Sequence, residues 1–160
     1  MQSFSRLLKR LADSGLEFVI VGGFAAVSHG SAYVTQDVDI CILFSEENIL
    51  RLREALKDLH PHHRMLPQRL SFLTDPPPGQ PVANLYLQTD MGMVDILSSV
   101  LGVGDFARLK SRAELLRVDG TGYYVMALDD LIAAKEALGR EKDLLTAKEL
   151  RAIAAKRSRN

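Results

Sequence analysis

Residues 19–43 constrain the fold of this chain more than any other part of the sequence. An apolar segment, residues 18–21, runs into a double glycine, and a short helical segment and a loop then lead to Asp37 and Asp39, which are separated by Val38. Side chains along a strand alternate between its two faces, so the two aspartates share one face and Val38 lies on the other. The stretch therefore predicts two strands, the second of which carries paired carboxylates on one side and core residues on the other.

Two carboxylates on an otherwise apolar strand repel one another unless a cation neutralises them. Mg²⁺ is usually held in proteins by one or two carboxylates together with substrate phosphates. Gly22 and Gly23 precede a helix, whose N-terminal backbone N–H groups favour an anion. The residues therefore predict a phosphate site beside a metal site. The alternative is an ordinary strand–turn–helix with a solvated pair of aspartates on an edge strand.

This arrangement resembles the nucleotidyltransferase superfamily with the DNA polymerase beta-type fold. The family signature is an apolar strand, Gly-Gly or Gly-Ser, a spacer of about ten residues and Asp-x-Asp on the next strand. Gly22-Gly23 and Asp37-Val38-Asp39 match it, and Thr35 fits many members. The resemblance implies an α/β (α+β) fold with a mixed central sheet flanked by helices. It also implies metal-dependent transfer of a nucleoside monophosphate from an NTP to a hydroxyl.

A predicted hairpin supplies a further carboxylate. Residues 84–88 and 93–97 are predicted as strands around a turn at 89–92, and Asp95 stands between two apolar residues of the second strand. An isolated aspartate in that setting should be paired or should hold a metal. The resemblance implies that Asp95 is the third catalytic carboxylate, beside Asp37 and Asp39. The alternative is a surface aspartate on a hairpin edge.

The C-terminal part of the chain adds to the resemblance. Small bacterial nucleotidyltransferase-like proteins, including relatives of abortive-infection toxins, often have Asp-Leu-Ile and a lysine, followed by Arg-x-Lys-Asp. Here residues 130–132, Lys135 and residues 140–143 match that pattern. The resemblance implies that Lys135, Arg140 and Lys142 face the nucleotide phosphates or the base. The alternative is a solvated charged turn between two helices.

The resemblance also implies the cofactors and partners. Asp37, Asp39 and Asp95 would hold two Mg²⁺ ions, with Mn²⁺ as a substitute, and the phosphates would contact the backbone of Gly22 and Gly23. Hydroxyl contacts would come from Ser28 and Thr35. The expected partners are an NTP, an acceptor that is RNA, a protein or a small molecule, and a cognate antitoxin if the protein is the toxin of a toxin–antitoxin pair. The alternative is a weak or inactive scaffold that binds a nucleotide or a partner protein.

The chain departs from the family pattern at two positions. Many members have serine where this chain has Gly23, and many small relatives have arginine where it has Tyr33. Cys41 falls on the same strand face as the paired aspartates. Because no basic partner stands at a fixed offset, we expect a core thiol beneath the site rather than a nucleophile.

Composition limits the class of protein. The 160 residues suit one nucleotidyltransferase-like domain, residues 1–160, and Lys plus Arg balance Asp plus Glu at 20 each, so there is no overall basic surface for nucleic acid. The single cysteine precludes an internal disulfide and suits a reducing compartment. No apolar run is long enough to span a membrane, and residues 1–10 lack the apolar core of a signal peptide. We therefore expect a cytoplasmic protein that does not enter the membrane.

The remaining pattern predicts the other elements. Helices are expected at 3–13, 24–29, 45–59, 101–116, 128–138 and 140–156, strands at 17–21 and 37–44, and a hairpin at 117–126. Residues 60–70 break the pattern with three histidines. They do not predict zinc, because no second ligand pair stands at a suitable spacing, and a solvated loop or a patch that touches substrate fits better. The proline-rich residues 75–81 predict a rigid surface loop.

Overall fold

The computed structural model describes residues 2–32, 35 and 37–159, without the side chains of the first two. Nine strands lie in this part of the chain: β1 (Val19–Val21), β2 (Asp37–Cys41), β3 (His62–His63), β4 (Leu85–Thr89), β5 (Gly92–Leu97), β6 (Ser99–Val100), β7 (Gly104–Asp105), β8 (Glu114–Val118) and β9 (Thr121–Val125). Six helices accompany them: α1 (Gln2–Asp13), α2 (Gly22–Ser28), α3 (Glu46–Leu56), α4 (Phe106–Arg112), α5 (Leu128–Leu138) and α6 (Glu141–Ser158).

Seven of these strands form one mixed sheet in the order β3-β4-β5-β2-β1-β9-β8. β2 runs parallel to β5 and β1 runs parallel to β9, while the other neighbours are antiparallel. β6 and β7 form a separate two-stranded pair. The mixed central sheet with flanking helices confirms the fold class that the sequence predicts.

The register between β2 and β5 separates the core from the open face of the sheet. Val38 pairs with Val94 and Ile40 pairs with Ile96, and all four side chains are fully buried. They form one core with the leucines of α1 and α3. Because successive residues face opposite ways, the residues between them lie on the other, half-buried face. The apolar residues thereby fix which side of the sheet carries the aspartates.

Most of the predicted elements are confirmed with small shifts in their ends. Ser45 caps α3 by accepting a hydrogen bond from the backbone N–H of Asn48 at 3.1 Å. Gly139 ends α5 with a φ of 70°, in the left-handed conformation that glycine supplies at helix C-termini. The first two strands are shorter than the sequence predicts, and β3 lies inside the predicted loop 60–70. Tyr33 lies outside the described residues.

The helix predicted over residues 101–116 is wrong. Only α4 is helical there, and it ends at Arg112 because Ala113 takes an extended conformation. The chain then forms β8, which pairs antiparallel with β9 around the tight turn Asp119-Gly120. Pairing with β9 satisfies the backbone of residues 114–118 and thus prevails over the predicted helix. No described helix is long and apolar enough to cross a membrane.

Candidate active site

Three aspartates predicted as catalytic line one cleft. β2 and β5 run in parallel with Asp39 directly opposite Asp95, and Asp37 lies two residues before Asp39 on the same face. All three line a cleft of about 540 Å³ on the open face of the sheet. The convergence depends on two strands that are more than fifty residues apart in the chain, so it is a property of the fold.

The cleft concentrates negative charge. Burial, followed by the charges of Asp95 and Asp37, raises the pKa of Asp39 from 3.8 to about 7, and the charge of Lys135 opposes this rise. Oδ1 of Asp37 is buried and accepts no hydrogen bond from any described residue. A buried carboxylate oxygen without a partner is costly, so the arrangement favours a bound cation.

Gly22 lies against Asp39 at the junction of β1 and α2. Its φ is +67°, and a Cβ at this position would lie 2.1 Å from Oδ2 of Asp39. Only glycine combines that backbone conformation with that close approach. Gly23 follows in the first turn of α2 and lines the cleft. Gly22 thus leaves room for the Asp39 carboxylate.

Thr35 and Ser28, which are both predicted to contribute hydroxyl contacts, lie in different settings. Thr35 lines the cleft, where its hydroxyl donates to the backbone oxygen of Asp37 at 3.1 Å and accepts from the backbone N–H of Asp37 at 3.4 Å. Ser28 donates to the backbone oxygen of Ala25 at 2.7 Å within α2 and is not among the described residues that line the cleft. Thr35 therefore fixes the start of β2, while Ser28 stabilises its own helix.

The predicted cations line the same cleft as the three aspartates. Lys135 of α5, Arg140 before α6 and Lys142 in its first turn all line it. Asp143 joins them: Arg140 Nε lies 2.5 Å from Oδ2 and Lys135 Nζ lies 3.8 Å from Oδ1. The hydrogen bond from Arg140 lowers the pKa of this buried carboxyl. Asp143 therefore orients two of the three cations.

Arg64 is a residue of this region that the sequence does not predict. Its Nη1 lies 2.5 Å from Oδ1 of Asp95 and 3.3 Å from the backbone oxygen of Leu87, and its guanidinium carbon lies 5.7 Å from the centre of the Tyr86 ring. The hydrogen bond to Asp95 raises the pKa of Arg64. The sequence offers no spacing that would reveal this pair, because β3 and β4 bring the two residues together.

The histidines before Arg64 contact separate partners. His60 Nδ1 lies 2.6 Å from Oδ2 of Asp90, while Nε2 of His63 lies 2.8 Å from the backbone oxygen of Asp75. In the described part of the chain, no three His, Cys, Asp or Glu side chains are already arranged as a metal site. The two histidines thus have separate partners in the structure.

Cys41 lies beneath the cleft as a core thiol. Its side chain is fully buried, and burial, with a smaller effect from the charge of Asp105, raises the pKa of the thiol to about 12. A thiol that stays protonated and out of contact with solvent is a poor nucleophile. The expectation of a core residue is therefore confirmed.

Comparison with solved structures identifies the fold. The lincosamide antibiotic adenylyltransferase LnuA, solved with lincomycin bound, gives a TM-score of 0.64 at 12% identity over 96% of this chain and 97% of its own. A protein of Thermotoga maritima assigned as a nucleotidyltransferase gives 0.59 at 17% identity, over 98% and 95%. The antibiotic-resistance factor ANT(2″)-Ia gives 0.55 at 13% identity, over 99% and 91%. The chain has the nucleotidyltransferase fold.

Sequence comparison gives no corresponding match. No protein-family model matches the chain, and no curated protein sequence matches it significantly. The shared fold therefore rests on three-dimensional similarity at 17% identity or less among the structures described here.

Proposed function

We propose that this chain, which has the nucleotidyltransferase fold, transfers a nucleoside monophosphate from an NTP to a hydroxyl acceptor. The observation that carries the proposal is the cleft that Asp37, Asp39 and Asp95 line together with Lys135 and Lys142. The carboxylates suit hard cations, and the ammonium groups suit phosphates. A nucleoside triphosphate with bound metal presents both kinds of charge.

The donor chemistry of the three carboxylates suits Mg²⁺ or Mn²⁺. The partnerless Oδ1 of Asp37 and the raised pKa of Asp39 both reflect a carboxylate cluster that needs more positive charge. Asp37 and Asp39 would hold two ions, and Asp95 would share one of them. Bound there, the metal would neutralise phosphate charge and lower the pKa of the attacking hydroxyl.

The chain's own residues would bind and orient the triphosphate. Lys135 and Lys142 would contact phosphate oxygens, and the backbone N–H of Gly23 would donate to another. Arg140 would complete this group of cations, held in place by Asp143. The acceptor oxygen then forms a bond to the α-phosphorus, the bond from that phosphorus to the bridging oxygen breaks, and pyrophosphate and a proton leave. Catalysis would come mainly from orientation and charge stabilisation.

A small molecule is the acceptor class with the most support. LnuA is a lincosamide adenylyltransferase, and ANT(2″)-Ia is an antibiotic-resistance factor. Both have this fold over nearly their whole length, so a chain of this size accommodates a site that acts on small compounds.

Isothermal titration with the four NTPs tests the proposal. Each NTP is added with and without Mg²⁺ to the wild type, to Asp39→Asn and to Asp119→Asn. The last is a matched control, since Asp119 is exposed in the β8–β9 turn, where its positive φ also suits asparagine. We expect Mg²⁺-dependent binding of at least one NTP that Asp39→Asn loses and Asp119→Asn keeps.

Three results would argue against this function. Equal NTP affinity in the wild type and Asp39→Asn would mean that the carboxylate of Asp39 does not contribute to nucleotide binding. If the wild type bound no NTP, the result would favour the alternative in which the protein is an inactive scaffold that binds a partner protein. Tight Mg²⁺-dependent binding without release of pyrophosphate from the NTP in the presence of any acceptor would instead favour a nucleotide-binding module.

A further inference from the structure

The open face of the sheet continues beyond the third aspartate. In the antiparallel β4–β5 pair Tyr86 stands directly opposite Asp95, and the backbone N–H of Arg64 donates to the backbone oxygen of Tyr86 at 3.0 Å. Residues that stand opposite one another on neighbouring strands share a face. Asp39, Asp95, Tyr86 and Arg64 therefore form one row that runs from the carboxylates to the edge of the sheet.

This row leads away from the cations that suit a triphosphate. Lys135 and Arg140 belong to α5 and to the start of α6, whereas Arg64 approaches Asp95 from the β3–β4 side. An acceptor has to reach the α-phosphorus from a side that the triphosphate does not fill. The row of Asp95, Tyr86 and Arg64 offers such a side, next to the carboxylate that would share a metal ion.

Arg64 gives this side a definite charge preference. Its side chain is about four-fifths shielded from solvent and touches Asp95. A divalent cation on Asp95 would repel the guanidinium and share the carboxylate charge, leaving Arg64 to attract another anion. The planar guanidinium donates two parallel hydrogen bonds to phosphate, which makes it well suited to a phosphate group. A cationic acceptor would meet repulsion from the same group.

We propose that Asp95, Tyr86 and Arg64 form the acceptor subsite, and that it takes a hydroxyl compound with a phosphate close to the reacting hydroxyl. This inference rests on the proposed nucleotidyl transfer. In it Arg64 binds the acceptor phosphate, the acceptor oxygen bonds to the α-phosphorus, the bond to the bridging oxygen breaks with loss of pyrophosphate, and the hydroxyl proton passes to solvent.

The surroundings of Tyr86 leave room for the rest of such an acceptor. A groove of about 430 Å³ lies along Tyr86, and Met65, Leu66 and Val82 also line it. Met65 and Leu66 follow Arg64 directly and are exposed. Arg64 and Asp95 are not among the described residues that line this groove, so an acceptor anchored at Arg64 would reach it past Tyr86.

Binding of defined probes tests the inference. The protein is saturated with Mg²⁺ and a non-hydrolysable analogue of the NTP that it binds, and four probes are titrated by NMR. They are glycerol 3-phosphate, adenylyl-(3′→5′)-adenosine, glycerol as the neutral analogue and kanamycin as a polycationic polyol. We expect a phosphate probe to bind at least about tenfold more tightly than glycerol or kanamycin, as charge-assisted hydrogen bonds predict. Preference for the dinucleotide would indicate a nucleic-acid acceptor, and preference for glycerol 3-phosphate a small phosphate ester.

Variants of Arg64 test whether the preference for a phosphate probe comes from Arg64 or from the bound metal ion. Arg64→Gln should weaken the affinity for the phosphate probe by about tenfold. Arg64→Lys should weaken it by less, because lysine keeps the charge but loses the paired hydrogen bonds. Arg69→Gln is the matched control, since Arg69 is an exposed arginine of the same loop. The affinity of Arg69→Gln for the phosphate probe should stay within about twofold of the wild-type affinity.

Distinct results would overturn this inference and the proposed function. Tighter binding of kanamycin, unchanged phosphate binding in Arg64→Gln and Arg64→Lys, or no probe binding to a protein that holds the analogue would each refute the acceptor assignment alone. Failure of the analogue itself to bind would refute the nucleotidyl transfer, and the acceptor subsite with it.

Discussion

Gly22 and Asp39 are packed so closely that the first can carry no side chain. A Cβ on Gly22 would lie 2.1 Å from Oδ2 and 2.9 Å from Cγ of Asp39. The turn after β1 thus determines where the central carboxylate of β2 can lie. Any side chain at this position would push the Asp39 carboxylate out of the cleft.

Gly22→Ala should therefore abolish Mg²⁺-dependent NTP binding. The control is Gly120→Ala, because Gly120 has a similar positive φ of +82° but a Cβ added there would meet no heavy atom within 4 Å. Both variants should lose about 1 kcal/mol of unfolding free energy from the left-handed conformation, and Gly22→Ala should lose more because of its collision with Asp39. Only Gly22→Ala should lose NTP affinity in titration calorimetry. Equal affinities in the two variants would contradict the role assigned to this contact.

Asp143→Asn should weaken NTP binding and destabilise the fold. The substitution removes the charge that holds Arg140 and Lys135, which we expect to cost about 1 to 3 kcal/mol in urea unfolding at neutral pH. Arg140 holds the pKa of Asp143 below 3.8, so the carboxylate stabilises the fold above that pH and loses this effect as the pH falls through the lowered pKa. The difference between wild type and variant should shrink in acid; a difference that grows there would refute the pairing.

Arg64→Gln should increase the affinity of the free protein for Mn²⁺. The guanidinium contacts Asp95 and adds a positive charge near all three carboxylates, so it competes with a divalent cation. We expect the dissociation constant for Mn²⁺, measured by electron paramagnetic resonance without nucleotide, to fall by about fivefold. Arg69→Gln again serves as the control. A weaker affinity in Arg64→Gln would mean that Arg64 instead orders the metal site.

Cys41 should resist thiol reagents in the native protein. Its side chain has no solvent exposure, so a disulfide reagent such as DTNB should modify it only after unfolding in urea. Cys41→Ala should retain Mg²⁺-dependent NTP binding, because the thiol lies beneath the cleft. Rapid modification of the folded wild type, with loss of NTP binding, would contradict the assignment of Cys41 as a core residue without a chemical role.

The carboxylates of the site can be predicted from sequence because each has a local signature. Asp37 and Asp39 stand two residues apart on a strand, and Asp95 interrupts an apolar strand after a tight turn. Neither signal shows that the two strands are neighbours. The family resemblance implies that the two strands are neighbours, and the register of β2 against β5 places Asp39 directly opposite Asp95.

Two parts of the structure escape prediction for different reasons. Arg64 meets Asp95 only through the pairing of β3 with β4, and nothing in the sequence spacing encodes that contact. The first part of β8, residues 114–116, is predicted as the end of the helix 101–116, while residues 117 and 118 fall in the predicted hairpin. The strand forms there because the Asp119-Gly120 turn returns the chain as β9, which offers hydrogen-bonding partners to residues 114–118.

The register of β5 makes this protein tolerant of some changes in length and intolerant of others. Loss or gain of one residue between Gly92 and Asp95 would reverse the alternation of the strand, so that Asp95 would face the leucines of α3 and Val94 would face the cleft. Insertions in the proline-rich loop at residues 75–81 leave that alternation intact. Divergence among descendants of this chain should therefore accumulate as loops of varied length around a strand whose length does not change.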